Sequence, residues 1–185
     1  MKKGTRAVLV IGSLAMILGA QNAMAGMSVE LLGNGTYSMA TGTPTSTPAF
    51  GYPGGGLNLN INFGSKTAFQ LGGHYVTRVL TTDANSTSNF VSLNAGLKFF
   101  LSRVFSLTVG GYYNYYLTNP LGLSTSDQGL AAGIGWALPL SSSIDFLFSP
   151  TYHYALVSQT YGAANSVTSS EIVGFVGFVI GGRSK

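Results

Sequence analysis

The sequence has little charge. Only 8% of its 185 residues are Asp, Glu, Lys or Arg, whereas 45% are hydrophobic. Soluble domains usually carry about 25% charged residues, so this chain has few groups with which to keep a water-exposed surface in solution. The length suits one domain.

Cysteine is absent. A disulfide framework, a thiolate-ligated metal site and a lipid-modified N-terminal cysteine are therefore excluded. The two histidines lie far apart without clustered carboxylates, so no metal and no other cofactor is expected. No basic, aromatic platform indicates nucleic acid. The glycines at 54–56 lack a following Lys-Ser/Thr pair, so they are interpreted as a loop and not as a phosphate cradle.

A long apolar run is also missing. The longest, at 7–20, has 14 residues, and a membrane-spanning helix needs about 20. It follows the basic residues Lys2, Lys3 and Arg6 and precedes the small-x-small stretch at 23–25, which is typical of an export signal. We therefore expect a cleaved signal peptide at 1–25 and one mature domain at 26–185.

Removal of that leader changes the charge balance. Three of the basic residues lie in it, so the formal charge falls from +4 for the whole chain to +1 for the mature one. The basic isoelectric point then gives little support for an anionic partner.

What the mature sequence does have is period-two alternation of apolar and polar residues. In the hairpin at 57–78, Leu57, Leu59 and Ile61 alternate with asparagines, and the pattern resumes after a turn at 64–66. Such alternation is typical of strands with one apolar face. Besides the two strands of this hairpin, six more segments show it: 29–39, 90–100, 105–117, 128–138, 144–156 and 171–180.

The connections between these segments alternate in length. Short ones lie at 64–66, 101–104 and 139–143, and long ones rich in Ser, Thr, Asn, Gly and Pro lie at 41–53, 81–89, 118–127 and 158–170. In an up-and-down sheet this places every short turn at one end and every long loop at the other.

Eight alternating segments with this loop pattern, behind an export signal, resemble the small outer-membrane β-barrels of Gram-negative bacteria, the class that includes the OmpA transmembrane domain and OmpX. The resemblance covers the whole mature chain and rests on pattern. It implies an all-β fold, an eight-stranded antiparallel up-and-down transmembrane β-barrel, with short turns in the periplasm and long loops outside the cell. Closure requires 29–39 to pair with 171–180. The chain departs from the class in lacking a C-terminal aromatic residue.

Aromatic residues on the apolar face divide into two groups, as expected where a barrel crosses both membrane interfaces. Phenylalanine and tryptophan lie beside the short turns, and tyrosine lies toward the long loops. The predicted lipid-interface residues are Phe63, Phe69, Phe99, Phe105 and Trp136 at the first level, and Tyr113, Tyr115, Tyr152 and Tyr154 at the second.

The polar face consists mostly of Asn, Ser, Thr and Gly, which fill a narrow lumen better than they solubilise a surface. Few charges point inward. We expect Glu30, Lys98 and Asp145 near the short turns, Arg78, His153 and Glu171 near the long loops, and His74 between them. Buried charges are usually paired, so we interpret these residues as clusters that plug the lumen. The alternative is a constriction that lines a narrow porin-like channel.

A lipid A-modifying enzyme is the third hypothesis. Outer-membrane deacylases use a His-x-Ser pair with a distant Glu. Here the corresponding stretch is His153-Tyr154-Ala155, so the nucleophile is missing. We therefore expect a non-catalytic outer-membrane protein, a monomer, with a structural or surface-interaction role. Its expected partners are outer-membrane lipid and an extracellular molecule at the long loops.

Overall fold

The computed structural model describes residues 26–42, 49–51, 54–79, 87–118, 125–157, 159–161 and 165–181. The predicted signal peptide at 1–25 lies outside this part. Among the described residues no helix is long and apolar enough to cross a membrane.

The described chain forms one antiparallel sheet that closes on itself. Its strands are β1 (Met27–Gly42), β2 (Ala49–Phe50), β3 (Gly54–Asn62), β4 (Thr67–Val79), β5 (Thr87–Phe100), β6 (Phe105–Thr118), β7 (Ser126–Pro139), β8 (Ile144–Ala155), β9 (Gln159–Tyr161) and β10 (Asn165–Ile180). The short β2 and β9 pair with β1 and β10 at the loop end. The eight longer strands make a closed barrel, in which β1 pairs with β10. The predicted fold and its closing pair are therefore confirmed.

The register of the barrel sets its width. Following paired residues around the wall leads from Ser28 to Asn60, Gln70, Gly96, Gly110, Ala131, His153, Glu171 and then Ser38. One circuit thus advances from position 28 to position 38 of β1. This stagger tilts eight strands by roughly 40°, and such a barrel leaves an interior only wide enough for side chains.

The two faces of the wall differ completely in charge. On β6, Tyr112 and Tyr116 are buried in the lumen, whereas Tyr113 and Tyr115 are exposed on the outer surface. No described outward-facing strand residue is an Asp, Glu, Lys or Arg. The outer surface is a continuous apolar band, and the strand charges whose side chains the structure describes face inward.

The first turn needs a glycine. Gly64 between β3 and β4 has a φ of 87°, a conformation that side chains with a Cβ rarely adopt. The three short connections that the sequence predicts all lie at this end of the barrel, and we call it the short-turn end. The opposite end is the loop end.

The prediction that 54–56 forms a loop was wrong. These glycines begin β3, and Gly56 packs against the neighbouring strand so closely that a Cβ there would lie 2.6 Å from the Cα of His74. Strands also extend into predicted loops, since β5 begins at Thr87 and β10 at Asn165. Ser, Thr and Asn at these strand ends conceal the alternation.

Candidate functional site: the charged lumen

The lumen near the short turns is organised around one buried carboxylate. Glu30 of β1 faces inward opposite Asn58 of β3, and the next inward pair is Asn60 and Gln70. Strand side chains two residues apart share a face, so these polar groups converge. Asn58 Nδ2 donates to Glu30 Oε2 at 2.8 Å, Asn60 Nδ2 to Oε1 at 2.9 Å and Gln70 Nε2 to Oε2 at 3.2 Å. Lys98 completes the set by an ion pair with Oε1.

Lys98 reaches Glu30 of β1 from β5, across the two intervening strands β3 and β4. Its opposite residue on β4 is Ala68, which is fully buried and small enough to leave the lysine stem a path. The donors also bond one another, because Gln70 Nε2 donates to Asn60 Oδ1 at 2.9 Å and Asn60 Nδ2 donates to Ser28 Oγ at 3.3 Å. We call Ser28, Glu30, Asn58, Asn60, Gln70 and Lys98 the Glu30 network. Its buried charges are paired and hydrogen-bonded, as burial requires.

His74 joins the Glu30 network to the middle of the barrel. The 2.8 Å contact between its Nε2 and Asn58 Oδ1 is a hydrogen bond when Nε2 carries the proton. The other side of the ring packs on Phe175, with ring centroids 4.7 Å apart. The imidazole is therefore held by a hydrogen bond and by an aromatic contact.

Glycines on the inward face make the lumen dense. A Cβ on Gly72 would clash with the side-chain oxygens of Asn58 and Asn94. An interior cavity of about 30 Å³ borders Glu30, Lys98 and the small residues of β6 and β7. That volume is enough for about one water molecule.

The loop half of the lumen is more aromatic. Tyr112 stacks on His153 at 4.5 Å, and His153 lies opposite Glu171 in the β8–β10 ladder. Tyr116 packs on Phe90 and its hydroxyl bonds a carboxylate oxygen of Asp127. Buried polar atoms without a hydrogen-bond partner within the described chain include Thr36 Oγ1, Ser92 Oγ and both amide atoms of Asn114 here, Asn34 Oδ1, His74 Nδ1 and Asn94 Oδ1 nearer the middle, and both amide atoms of Asn62 at the short-turn end.

Of the charged residues predicted for the lumen, the structure brings Glu30 and Lys98 together. Asp145 is half-buried and faces inward, separated from Glu30 in the register by Val179. His153 and Glu171 lie side by side nearer the loop end. The backbone of Arg78 belongs to β4, but its side chain lies outside the described part. Nowhere in the described ranges do three or more His, Cys, Asp or Glu side chains gather as a metal would require.

The predicted interface aromatics point outward. At the short-turn end Phe105 contacts Trp136 with ring centroids 5.1 Å apart, Phe63 is exposed in the first turn, and Phe69 and Phe99 are half-buried in the outer face. The tyrosines are exposed in the other half of the wall, at Tyr113, Tyr115, Tyr152 and Tyr154.

Sequence reasoning missed two features of the lumen. It did not identify the amides of Asn58, Asn60 and Gln70 as hydrogen-bond donors to Glu30, although they lie on the inward face. It also left Asp127 in a loop, whereas the structure places it inside β7, buried beside Tyr116. Asp127 continues the inward row of Gly129 and Ala131 at a spacing of two residues. This continuation was the signal that Asp127 belongs to the strand.

The fold is similar to those of solved outer-membrane proteins. The crystal structure of Neisserial surface protein A aligns with a TM-score of 0.55 at 13% identity, over 84% of this chain and 97% of that one. The outer membrane protein OprG from Pseudomonas aeruginosa aligns with a TM-score of 0.51 at 14% identity, over 84% of this chain and 95% of that one. No protein-family model and no curated protein matches the sequence.

At identities this low the similarity establishes the fold alone. The closed eight-stranded antiparallel wall, apolar outside and polar inside, is that of the small outer-membrane β-barrels.

Proposed function

We propose that this chain is an integral protein of the Gram-negative outer membrane, with no catalytic activity. Its barrel anchors the long loops at the cell surface and contributes to envelope structure. The observation that carries the proposal is the distribution of charge, because the outer face of the described strands has none and the buried interior holds Glu30, Lys98 and Glu171. A water-soluble barrel needs the reverse arrangement.

Two further features support a place in lipid. The wall closes through β1 and β10, so the barrel formed by the eight longer described strands has no free sheet edge, and the short edge strands β2 and β9 lie at its loop end. Aromatic side chains occupy the outer face toward both ends, at the levels where a barrel meets the two membrane interfaces. In this orientation the short turns face the periplasm.

A closed lumen is part of the same proposal. The Glu30 network spans β1, β3, β4 and β5, and its side chains occupy the narrow interior of an eight-stranded barrel. The barrel then acts as a rigid anchor and not as a diffusion channel.

The absence of catalysis rests on the surroundings of His153. Its ring is buried beneath Tyr112 inside the barrel, away from the lipid-facing surface on which a lipid A substrate would lie. Ala155, two residues on, supplies no nucleophile. Overexpression of the protein should leave the mass profile of lipid A unchanged, and a lost or added acyl chain would contradict the proposal.

The long loops are the proposed contact region for an extracellular partner, and the barrel itself is proposed to be monomeric. Loops held by a rigid scaffold tolerate variation and often carry binding functions.

Membrane placement is tested by fractionation. The mature protein should remain with the outer-membrane fraction and, after extraction in detergent, should migrate differently on a gel before and after boiling, because the folded barrel resists unfolding in detergent. Recovery as a soluble periplasmic monomer with one mobility would contradict the proposal.

A further inference from the structure

An apolar cleft opens on the outer face of the barrel near the short turns. Trp136 and Leu138 of β7 and Phe146 and Phe148 of β8 line its volume of about 330 Å³. Trp136 lies opposite Phe148, and Leu138 lies opposite Phe146. The cleft therefore follows the seam between two strands for the length of two residue pairs.

Aromatic contacts on each side account for the opening. Trp136 packs on Phe105 of β6, with ring centroids 5.1 Å apart. Phe146 packs on Phe178 of β10 at 6.0 Å, edge to face. Trp136 and Phe146 thus contact rings on β6 and β10, outside the cleft. The seam between β7 and β8 is left uncovered. An elongated apolar group can lie in such a groove.

The turn beside this cleft carries a cation, Arg103. The carbonyl of Val104 accepts a hydrogen bond from Ala137 N at 2.8 Å, which sets the β5–β6 turn beside the end of β7. Arg103 directly precedes Val104 in this turn, and extending the β6–β7 register by two residues beyond the Phe105–Trp136 pair brings it level with Leu138. Its side chain is exposed.

The three short turns carry charge of one sign, although Asp145, two residues beyond the last of them, is an acid that faces inward. The three turns at 63–66, 101–104 and 140–143 contain two charged residues, Lys66 and Arg103, both cations and both exposed. Lys66 lies in the neighbouring turn, where its carbonyl accepts a hydrogen bond from Phe100 N at 2.8 Å. Cations at a membrane surface attract anionic headgroups.

We propose that the cleft and Arg103 form a binding site for an anionic glycerophospholipid. One acyl chain lies between Trp136, Leu138, Phe146 and Phe148, and the phosphate lies against the guanidinium of Arg103. Arginine suits this role because its planar group pairs with two phosphate oxygens. The proposal rests on the proposed function, which places this face of the barrel in a membrane.

Trp136 is the only tryptophan in the sequence, so its fluorescence reports on the cleft. The folded protein is reconstituted in vesicles of phosphatidylcholine and phosphatidylglycerol, with bromine, a contact quencher, on the acyl chains of one lipid or the other. We expect Trp136 to select phosphatidylglycerol roughly fivefold, the preference that about 1 kcal/mol per basic residue would give.

Three variants test the site, two by its charge and one by the shape of the groove. Arg103→Gln should abolish the selection, whereas the matched control Lys66→Gln, in the turn away from the cleft, should retain it. Leu138→Phe fills the groove without moving the cation, and it should lower quenching by both lipids.

The outcomes distinguish the site from the membrane placement. Equal quenching by both lipids, unchanged in Arg103→Gln, would overturn the lipid site while the barrel remains in lipid. No quenching by either lipid at any dilution would overturn the proposed function as well. Quenching that returns only when the protein is diluted in lipid would mean that a second copy covers the cleft, which also overturns the site.

Discussion

The two halves of the lumen are built differently, although the same eight strands form both. In the short-turn half every polar side chain of the Glu30 network has a protein partner, although the amide of Asn62 just outside the network has none in the described chain, and Glu30 accepts from Asn58, Asn60, Gln70 and Lys98. In the loop half, Tyr112 and His153 stack, while Ser92 and Asn114 contain buried atoms without a partner in the described chain.

This difference indicates where the barrel is held together. A buried charge is costly unless it is paired and hydrogen-bonded, so the members of the Glu30 network depend strongly on one another. A buried hydroxyl or amide without a hydrogen-bond partner adds little to the stability of the fold, so removing it should cost little. We therefore expect substitutions of similar size to have unequal effects in the two halves.

The largest effect is expected from Lys98→Met, which keeps the length of the side chain and removes its charge. Glu30 would then be buried without its cation, at a cost of about 3–5 kcal/mol in the free energy of unfolding. Urea-induced unfolding in lipid vesicles measures this cost.

A matched double variant shows whether the loss comes from the unpaired charge. Combining Lys98→Met with Glu30→Gln removes both charges and should recover most of the stability. If the double variant is as unstable as Lys98→Met alone, packing of the lysine stem, and not its charge, explains the loss.

An intermediate effect is expected from Gly72→Ala, between the two halves. The added Cβ would overlap Asn58 and Asn94, so the free energy of unfolding should fall by about 1–3 kcal/mol. Gly35→Ala is the control, because its Cβ would point outward with nothing within 4 Å. Equal stability of the two variants in the same unfolding assay would mean that the interior is looser than the structure indicates.

The smallest effect is expected from Ser92→Ala in the loop half. Its hydroxyl is buried without a partner, so the change in the free energy of unfolding should stay within about 0.5 kcal/mol. Asn60→Ala in the short-turn half is the contrasting variant, because it removes a donor to Glu30. A loss for Ser92→Ala as large as that for Asn60→Ala would erase the contrast between the halves.

Much of this architecture follows from the sequence alone. The alternation of Leu57, Leu59 and Ile61 with asparagines identifies a strand and its two faces, and the spacing of short and long connections identifies the barrel. The inward direction of Glu30 and Lys98 follows from the same period of two. Such patterns depend on local residue order, which a single sequence contains.

The partners of Glu30 could not be predicted in the same way. Which amides reach it depends on the register between strands, and a shift of two residues would preserve every face while exchanging the partners. Strand ends such as Thr87 were also concealed, because polar residues on both faces leave no alternation. The cleft beside Trp136 depends on the directions in which aromatic rings lean, which residue order does not specify.

The claim that the Glu30 network closes the lumen is tested most directly by planar-bilayer recording of the purified, folded protein. We expect no discrete channel openings from the wild-type barrel, because the interior side chains fill the space between the strands. Discrete openings from the wild type, with a conductance that changes in Lys98→Met, would contradict it and favour the narrow channel.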